Sequence, residues 1–395
     1  MADVRRVLVL CYSFPPTNAV AAMRGLRIGR AFQRRGWDVD ILKASTTGQP
    51  LGLDADTSGL RIHSYAPRKL TLFLGRHADV SKAGHLLRAA LRRLVFPDHT
   101  WLLRKPVERA IDAIGGLDQY DCVVSSSFPF VLHDVCRRAK ERGERFVWIA
   151  DNRDMWVGWP FNGPSLVPKP LLTNVERRAL TRADLATFAS ETTAAVYARR
   201  YGIATTTILN GVEGNPPTPK SVRPTPPFRI VHTGSLFRGQ RDLTPLMQAI
   251  GSLPAELVLA GEDLDRSTAA IRREFDTPLR LKGLLSRKES IALQRSADFL
   301  VLALGGSDYD ATYTPAKLFE YAFAGRPIIA LVRPDSDVGR TIARYQLGLA
   351  SLDAESIRSF ISTVARDGWR PPTDLDELTA DAQFGKFVDA AEAMI

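Results

Sequence analysis

Phe228-Arg229-Ile230-Val231-His232-Thr233-Gly234-Ser235 is an apolar, β-rich run that stops in a short glycine loop and leads into a longer helical pattern. The chain of 395 residues opens the same way near its start, where Arg6 to Tyr12 runs into the loop Phe14-Pro15-Pro16. Two such openings predict two α/β halves. Between them, Asn215 to Pro227 holds six prolines in thirteen residues. A segment so short of backbone donors and so restricted in φ suits neither a central strand nor a helix interior, so it reads as a semi-rigid connector. The expected domains are residues 1–214, a linker at 215–227, residues 228–380, and a C-terminal helix at 381–395 that packs back on the first domain.

Outward from the two openings, candidate strands alternate with helical patterns. In the first half they are Val7–Cys11, Val39–Leu42, Arg61–Tyr65, Asp121–Ser125, Phe146–Ala150 and Leu185–Ala189. In the second they are Phe228–His232, Leu257–Ala260, Leu279–Lys282, Phe299–Leu302 and Pro327–Leu331. Such alternation predicts parallel sheets covered on both faces, two Rossmann-like domains facing across a cleft. Ligands of these sheets sit at the carboxyl ends of the strands, which makes that cleft the expected site.

The most informative stretch for chemistry is Thr312-Tyr313-Thr314-Pro315-Ala316-Lys317-Leu318-Phe319-Glu320-Tyr321-Ala322-Phe323-Ala324-Gly325-Arg326-Pro327. Thr314 suits a cap, Pro315 the first helical position, Gly325 a left-handed stop, and Pro327 prevents continuation. On a helical wheel Leu318, Phe319, Ala322 and Phe323 share one face, and Lys317, Glu320 and Tyr321 the other. The helix start would offer free N–H groups and a positive dipole end to an anion such as a diphosphate. Glu320 lies about 8 Å farther along the axis, within range of a ribose. The alternative is a solvated Lys317–Glu320 pair of small energetic weight.

Pro-x-Lys-x-Phe-Glu-Tyr-x-x-x-Gly-x-Pro before a late strand resembles the donor-binding motif of glycosyltransferase family 4. Other segments agree in order. Tyr12-Ser13-Phe14-Pro15-Pro16, the later Arg24, and Arg35-Gly36-Trp37-Asp38-Val39 resemble the family's opening. Asp151-Asn152-Arg153-Asp154-Met155-Trp156 is similar to its Asp-x-Arg-Asp-x-Trp segment, Leu209-Asn210-Gly211-Val212 to its Pro-Asn-Gly-Val turn, and His232-Thr233-Gly234-Ser235-Leu236 to the start of its donor domain. The resemblance implies a GT-B fold and a retaining transferase moving sugar from a nucleoside-diphosphate sugar to a hydroxyl acceptor, such as a surface-glycan, lipid-linked or natural-product precursor. It implies an acceptor-side first domain and a donor-binding second domain. Asp151, Arg153, Asp154 and Lys317 would be catalytic. Gly234, Ser235, Arg238, Arg241, Thr312, Tyr313, Thr314, Lys317 and Glu320 would bind the nucleotide sugar. Pro16, Asn18, Ala19 and Arg24 would form the acceptor or diphosphate loop. No cofactor or metal is expected beyond the donor itself.

Three departures stand out. Many relatives carry two glutamates eight positions apart, whereas Thr312 stands eight before Glu320. Asn18-Ala19 replaces a glycine pair in the first loop. Ser235 stands where the family has arginine, which leaves Lys317 first and Arg241 second, with Arg238, to neutralise phosphate.

The composition is that of an ordinary globular chain, 45% hydrophobic and 24% charged. Its formal charge of +10 favours anionic partners without choosing among nucleotide, membrane surface and nucleic acid. There is no nucleic-acid module and no basic-aromatic platform, so no nucleic-acid partner is expected. Cys11, Cys122 and Cys136 show no paired spacing, and no apolar stretch approaches the ~18 residues of a membrane span. A cytoplasmic enzyme is expected, with peripheral contact at the inner face of the membrane through an amphipathic pattern at Ser81–Phe96. There Lys82, His85, Arg88, Arg92 and Arg93 share one arc, and Leu86, Leu87, Ala90, Leu91, Leu94 and Val95 the other. Asp308-Tyr309-Asp310 spells a metal-transferase pattern that recurs elsewhere in the chain and discriminates little. His232 reads as a packed residue, and Ser286-Arg287-Lys288-Glu289 as a helix capping box. The nearest rival activity is a nucleotide-sugar 2-epimerase sharing the fold; from another class, a basic nucleic-acid-binding protein is the alternative that charge alone offers.

Overall fold

The computed structural model describes residues 4–47, 51–74, 84, 87–88, 91–92, 95–157, 167–216, 220–236 and 241–395. The chain divides into two compact units, Met1–Leu209 with Gln383–Ile395, and Asn210–Ala382.

The first unit holds one parallel sheet of strands β1 (Arg6–Leu10), β2 (Asp38–Ala44), β3 (Arg61–Tyr65), β4 (Cys122–Ser126), β5 (Val147–Asn152), β6 (Leu185–Phe188) and β7 (Thr205–Thr207), in the order β3-β2-β1-β4-β5-β6-β7. Val7 to Leu10 are wholly buried. An unbroken apolar run of this kind suits a strand with helices on both faces. Helices Val20–Arg34, Arg104–Ala113, Val131–Glu141, Lys169–Leu180 and Glu191–Tyr201 belong to this unit.

The second unit repeats the plan with β8 (Phe228–Thr233), β9 (Ala255–Ala260), β10 (Leu279–Leu281), β11 (Phe299–Gly305), β12 (Ile328–Val332) and β13 (Gly348–Ala350), ordered β10-β9-β8-β11-β12-β13 and parallel throughout. In each sheet the order reverses once, between β1 and β4 and between β8 and β11. Loops after neighbouring strands then turn to opposite faces and leave room for a ligand outside the carboxyl ends.

All eleven expected strands form, with ends within three residues of the expected ones. Strands β7 and β13 were not expected. Each has three half-buried residues at a sheet edge, too short to carry a period.

The proline tract differs from the expectation of a spacer. The units part between Leu209 and Asn210, and the tract belongs to the second. Val222 forms an antiparallel bridge with Trp369, each amide bonding the other's carbonyl at 2.9 and 2.7 Å, and Arg223 donates to the Arg366 carbonyl at 2.7 Å. Proline restricts φ without forbidding extended pairing at the intervening residue, so the tract is strapped to its own unit.

Helix Ala380–Glu392 contributes Gln383 onward to the first unit. Phe384 and Phe387 are wholly buried beneath the Arg24 guanidinium, 5.3 and 5.9 Å from the ring centres. Arg35 pairs with Asp389 and Glu392, and the Gln383 side chain accepts from the Leu209 amide at 3.0 Å. No helix among the described residues is long and apolar enough to cross a membrane.

Candidate functional site

In the second unit, β8 delivers Thr233 and Gly234 to the carboxyl edge of the sheet. Gly234 has φ 110°, and a Cβ placed there would lie 2.1 Å from the Lys317 Nζ. The end of the lysine therefore lies across the glycine, whose positive φ is the conformation that favours a residue without a side chain. Its ammonium has no hydrogen-bond or ion-pair partner among the described residues. Burial, and then the charge of Arg241, bring its pKa from 10.5 down to about 8 against the pull of Glu320.

Lys317 is carried by helix Ala316–Ala324, which Gly325 ends in the left-handed region at φ 68°. Two details correct the sequence reading. Pro315, extended at ψ 143°, takes the N-cap position that was expected of Thr314; no side chain caps the helix, and Thr314 is buried. Tyr321 does not share an open face with Lys317 and Glu320. It is wholly buried, and its phenol oxygen accepts from the Thr233 amide at 2.9 Å. The Thr233 hydroxyl in turn accepts from Gln294 at 3.0 Å. These contacts fix the end of β8 to the helix that bears the lysine.

Arg241 is also buried. Its Nη1 donates to the Leu304 carbonyl at 3.0 Å and to Asp310 Oδ1 at 3.1 Å, and its guanidinium lies 5.7 Å from the Tyr313 ring centre. Asp310 Oδ2 accepts from the Ser307 hydroxyl at 2.5 Å. Asp308 instead pairs with Arg333 at 3.1 Å, so the two aspartates of the Asp-x-Asp pattern are committed to different arginines. The Thr312 hydroxyl bonds the Tyr309 carbonyl at 3.0 Å, and the Tyr309 and Tyr313 rings stack. Ser235 is half-buried beside Gly234, and Arg238 lies outside the described residues. Glu320 faces Arg287 at 3.4 Å. His232 is buried with Nδ1 on the Val301 carbonyl at 2.9 Å; burial and the charge of Lys317 lower its pKa to about 3, which keeps it neutral. Ser286 and Glu289 close the expected capping box.

The first unit treats its sequence-derived residues differently. Asp151 is wholly buried. One carboxylate oxygen accepts from Arg24 at 2.7 Å and Thr187 at 2.8 Å, the other from Arg24 at 2.8 Å and Ser126 at 2.7 Å. All four acceptor positions are filled. Burial alone would raise its pKa, but the charge of Arg24 and these hydrogen bonds prevail and hold the carboxyl below its ordinary value. Asp151 and Arg24, the latter 2% exposed, are thus committed to each other and form a structural clasp. Arg153 and Asp154 pair with each other at 2.9 Å just beyond β5. Pro16 and Asn18 are exposed after β1, and Ala19, half-buried and extended, precedes helix Val20–Arg34.

Sequence reasoning missed Glu176, which is wholly buried and accepts from the Tyr197 and Tyr201 phenols and from the Val157 amide at 3.0 Å; Tyr197 also accepts from the Trp156 amide at 3.1 Å. One carboxylate thereby fixes the backbone directly after Arg153 and Asp154. Neither spacing nor periodicity connects Glu176 with those amides.

Residues 24–214 match the model of the family described as Glycosyltransferase Family 4. This chain is a glycosyltransferase with a family 4 domain. Its two Rossmann-like units have the GT-B fold. The glycosyltransferase resembles the apo form of the lipopolysaccharide outer core galactosyltransferase WaaB at a TM-score of 0.62 and 11% identity, over 99% of this chain and 100% of that one. HepE from Anabaena in complex with UDP and glucose aligns at 0.56 and 12%, over 99% and 100%. A UDP-forming trehalose-phosphate synthase from Burkholderia xenovorans in complex with glucose-6-phosphate aligns at 0.60 and 11%, over 98% and 100%. No curated protein matches the glycosyltransferase in sequence.

The clasp in the first unit carries a stability prediction. Asp151→Asn leaves the Arg24 charge buried without its counter-ion and should cost the glycosyltransferase about 3–5 kcal/mol of first-unit stability at pH 7. Because the folded pKa of Asp151 is depressed, its contribution is whole above the unfolded carboxyl value of 3.8 and is lost as pH falls from there through the folded value. Urea unfolding followed by circular dichroism measures both, and a loss under about 1 kcal/mol at pH 7 would contradict the clasp.

Proposed function

We propose that the enzyme transfers a sugar from a nucleoside-diphosphate sugar to an acceptor hydroxyl with retention at the anomeric carbon. One observation carries this reading, the Lys317 ammonium lying over Gly234 with no anionic partner among the described residues. A partly dehydrated cation without a counter-ion is unfavourable until an anion arrives. The amino end of helix Ala316–Ala324 adds backbone donors and a positive dipole end at the same edge. A diphosphate satisfies both. The ribose then falls to Glu320, one turn on, in exchange for its weak contact with Arg287. HepE holds UDP on a fold of the same kind, which supports a nucleotide donor here.

In the reaction, the bond from the anomeric carbon to the diphosphate breaks with its electrons going to the phosphate oxygen. The acceptor oxygen bonds that carbon from the same face, and its proton passes to the leaving diphosphate. Lys317 and the helix amides stabilise the charge that develops on the phosphate. No cofactor is needed, and no divalent metal, because the protein's own cations neutralise the leaving group.

Glu320→Ala should weaken nucleoside diphosphate binding by roughly 1.5–3 kcal/mol, and Lys317→Met by a similar amount, the range for hydrogen bonds to charged groups. Calorimetry over UDP, GDP and dTDP gives the values. Unchanged affinity in folded variants would remove the ribose and diphosphate assignments, and sugar epimerised without any acceptor would favour a 2-epimerase. Transfer should survive EDTA; activity lost to EDTA and restored by Mg²⁺ or Mn²⁺ would contradict metal independence.

The acceptor we propose is lipid-linked, met at an anionic membrane surface. Gly84, Leu87, Arg88, Leu91 and Arg92 are helical, and Leu87 is exposed, while Arg92 donates to the Leu74 carbonyl at 2.6 Å. Lys82, His85 and Arg93 lie outside the described residues. Basic side chains near an anionic leaflet contribute about 1 kcal/mol each. The enzyme should therefore sediment with anionic liposomes at low salt, and less so after Arg88→Glu; wild-type protein that ignores such liposomes points to a soluble acceptor.

A further inference from the structure

Lys317 is not held by any side chain of its own helix. Ahead of that helix two loops of the second unit are tied together, the one after β8 and the one after β11. Arg241, from the first loop, reaches the Leu304 carbonyl near the end of β11 and Asp310 in the second loop with a single nitrogen, at 3.0 and 3.1 Å. Asp310 then gathers its own loop, taking the Ser307 hydroxyl and amide on its other oxygen at 2.5 and 3.3 Å. Beyond it, the turn Asp310–Thr312 is closed by the Thr312 hydroxyl on the Tyr309 carbonyl, and Tyr313, under the Arg241 guanidinium, leads into Thr314, Pro315 and the helix of Lys317. On the far side of the lysine, Tyr321 binds the Thr233 amide.

We propose that Arg241 is a positioning residue, which clasps the loop after β11 through Asp310 and so seats the Lys317 ammonium for the donor's diphosphate, rather than a ligand of that diphosphate. The inference rests on the diphosphate reading of Lys317. The family resemblance would have had Arg241 neutralise phosphate directly. Its packing speaks otherwise, since Arg241 is only 7% exposed and its guanidinium is already balanced by a carboxylate. A buried, paired guanidinium is costly to pull from its partner.

The clasp also has an electrostatic consequence. Lys317 is faced by Arg241 from the loop after β8, by neutral His232 from β8 itself, and by Glu320 and the Tyr321 phenol from its own helix; Arg238 lies outside the described residues. After burial, Arg241 is the largest influence lowering the Lys317 pKa to about 8. Nucleoside diphosphate affinity should then be level from neutral pH up to about 8 and fall above it as the ammonium is lost. The terminal phosphate, with a second pKa near about 6, stays fully charged across that window.

The experiment is calorimetry of UDP, GDP and dTDP between pH 7 and 10 on intact wild type, Arg241→Met, Arg241→Lys, Asp310→Asn and Lys317→Met, each checked for folding by its thermal transition. As a positioning residue, Arg241 predicts that Arg241→Met and Asp310→Asn both lose about tenfold in affinity at pH 7. The alkaline fall should move up by roughly half a pH unit or more in Arg241→Met and not in Asp310→Asn. Arg241→Lys keeps the charge but loses the two-acceptor geometry, so its affinity should drop with the fall unmoved; it serves if Arg241→Met does not fold. Affinity equal to or above wild type in Asp310→Asn would overturn the inference, because freeing a direct phosphate ligand from its carboxylate should tighten binding. An unmoved fall in Arg241→Met would overturn it as well. If Lys317→Met binds the nucleotides as wild type does, the diphosphate reading fails first and takes this inference with it, a result distinct from either of the others.

Discussion

A buried carboxylate with every acceptor position filled holds the first unit together. Asp151 sits at the end of β5 and receives Ser126 from β4, Thr187 from β6 and Arg24 from helix Val20–Arg34. Arg24 carries the constraint further, to the Ile208 carbonyl at 3.1 Å and to the faces of Phe384 and Phe387. Strands, first helix and C-terminal helix thus meet on one ion pair. Such a pair adds little net stability compared with apolar packing, but neither partner tolerates the loss of the other.

The second unit contains the opposite arrangement. Lys317 is half-buried, yet lacks the carboxylate that Arg24 has. Around it the charges are settled: Arg241 with Asp310, Arg333 with Asp308, Glu320 with Arg287. The one cation left uncompensated among these lies at the end of β8, beside the point where the sheet order reverses and at the amino end of a helix. Parallel sheets gather ligand groups at that edge, and here the group awaiting a partner is positive. A nucleoside-diphosphate donor answers both the charge and the place.

Much of this was legible in the sequence, because strand burial follows from unbroken apolar runs such as Val7 to Leu10 and helix limits from Pro315 and Gly325. The lysine and glutamate of the second unit also stood out, since a short, well-delimited helix fixes their spacing. Other roles depended on partners far away in the chain. Arg24 and Asp151 are 127 positions apart, and nothing local to either shows that each neutralises the other. Tyr321 was misread because a helical wheel assumes one buried face. This helix is pressed between β11 and helix Arg287–Arg295, and a helix with neighbours on two sides buries a second face as well.

The most direct test of the account is a crystal structure of the enzyme with the nucleoside diphosphate that it binds most tightly. The account predicts a phosphate oxygen within hydrogen-bonding distance of Lys317 Nζ over Gly234, and ribose hydroxyls on Glu320. A nucleotide bound in the second unit away from Lys317, or phosphates held instead by Arg333 or another surface cation, would contradict it.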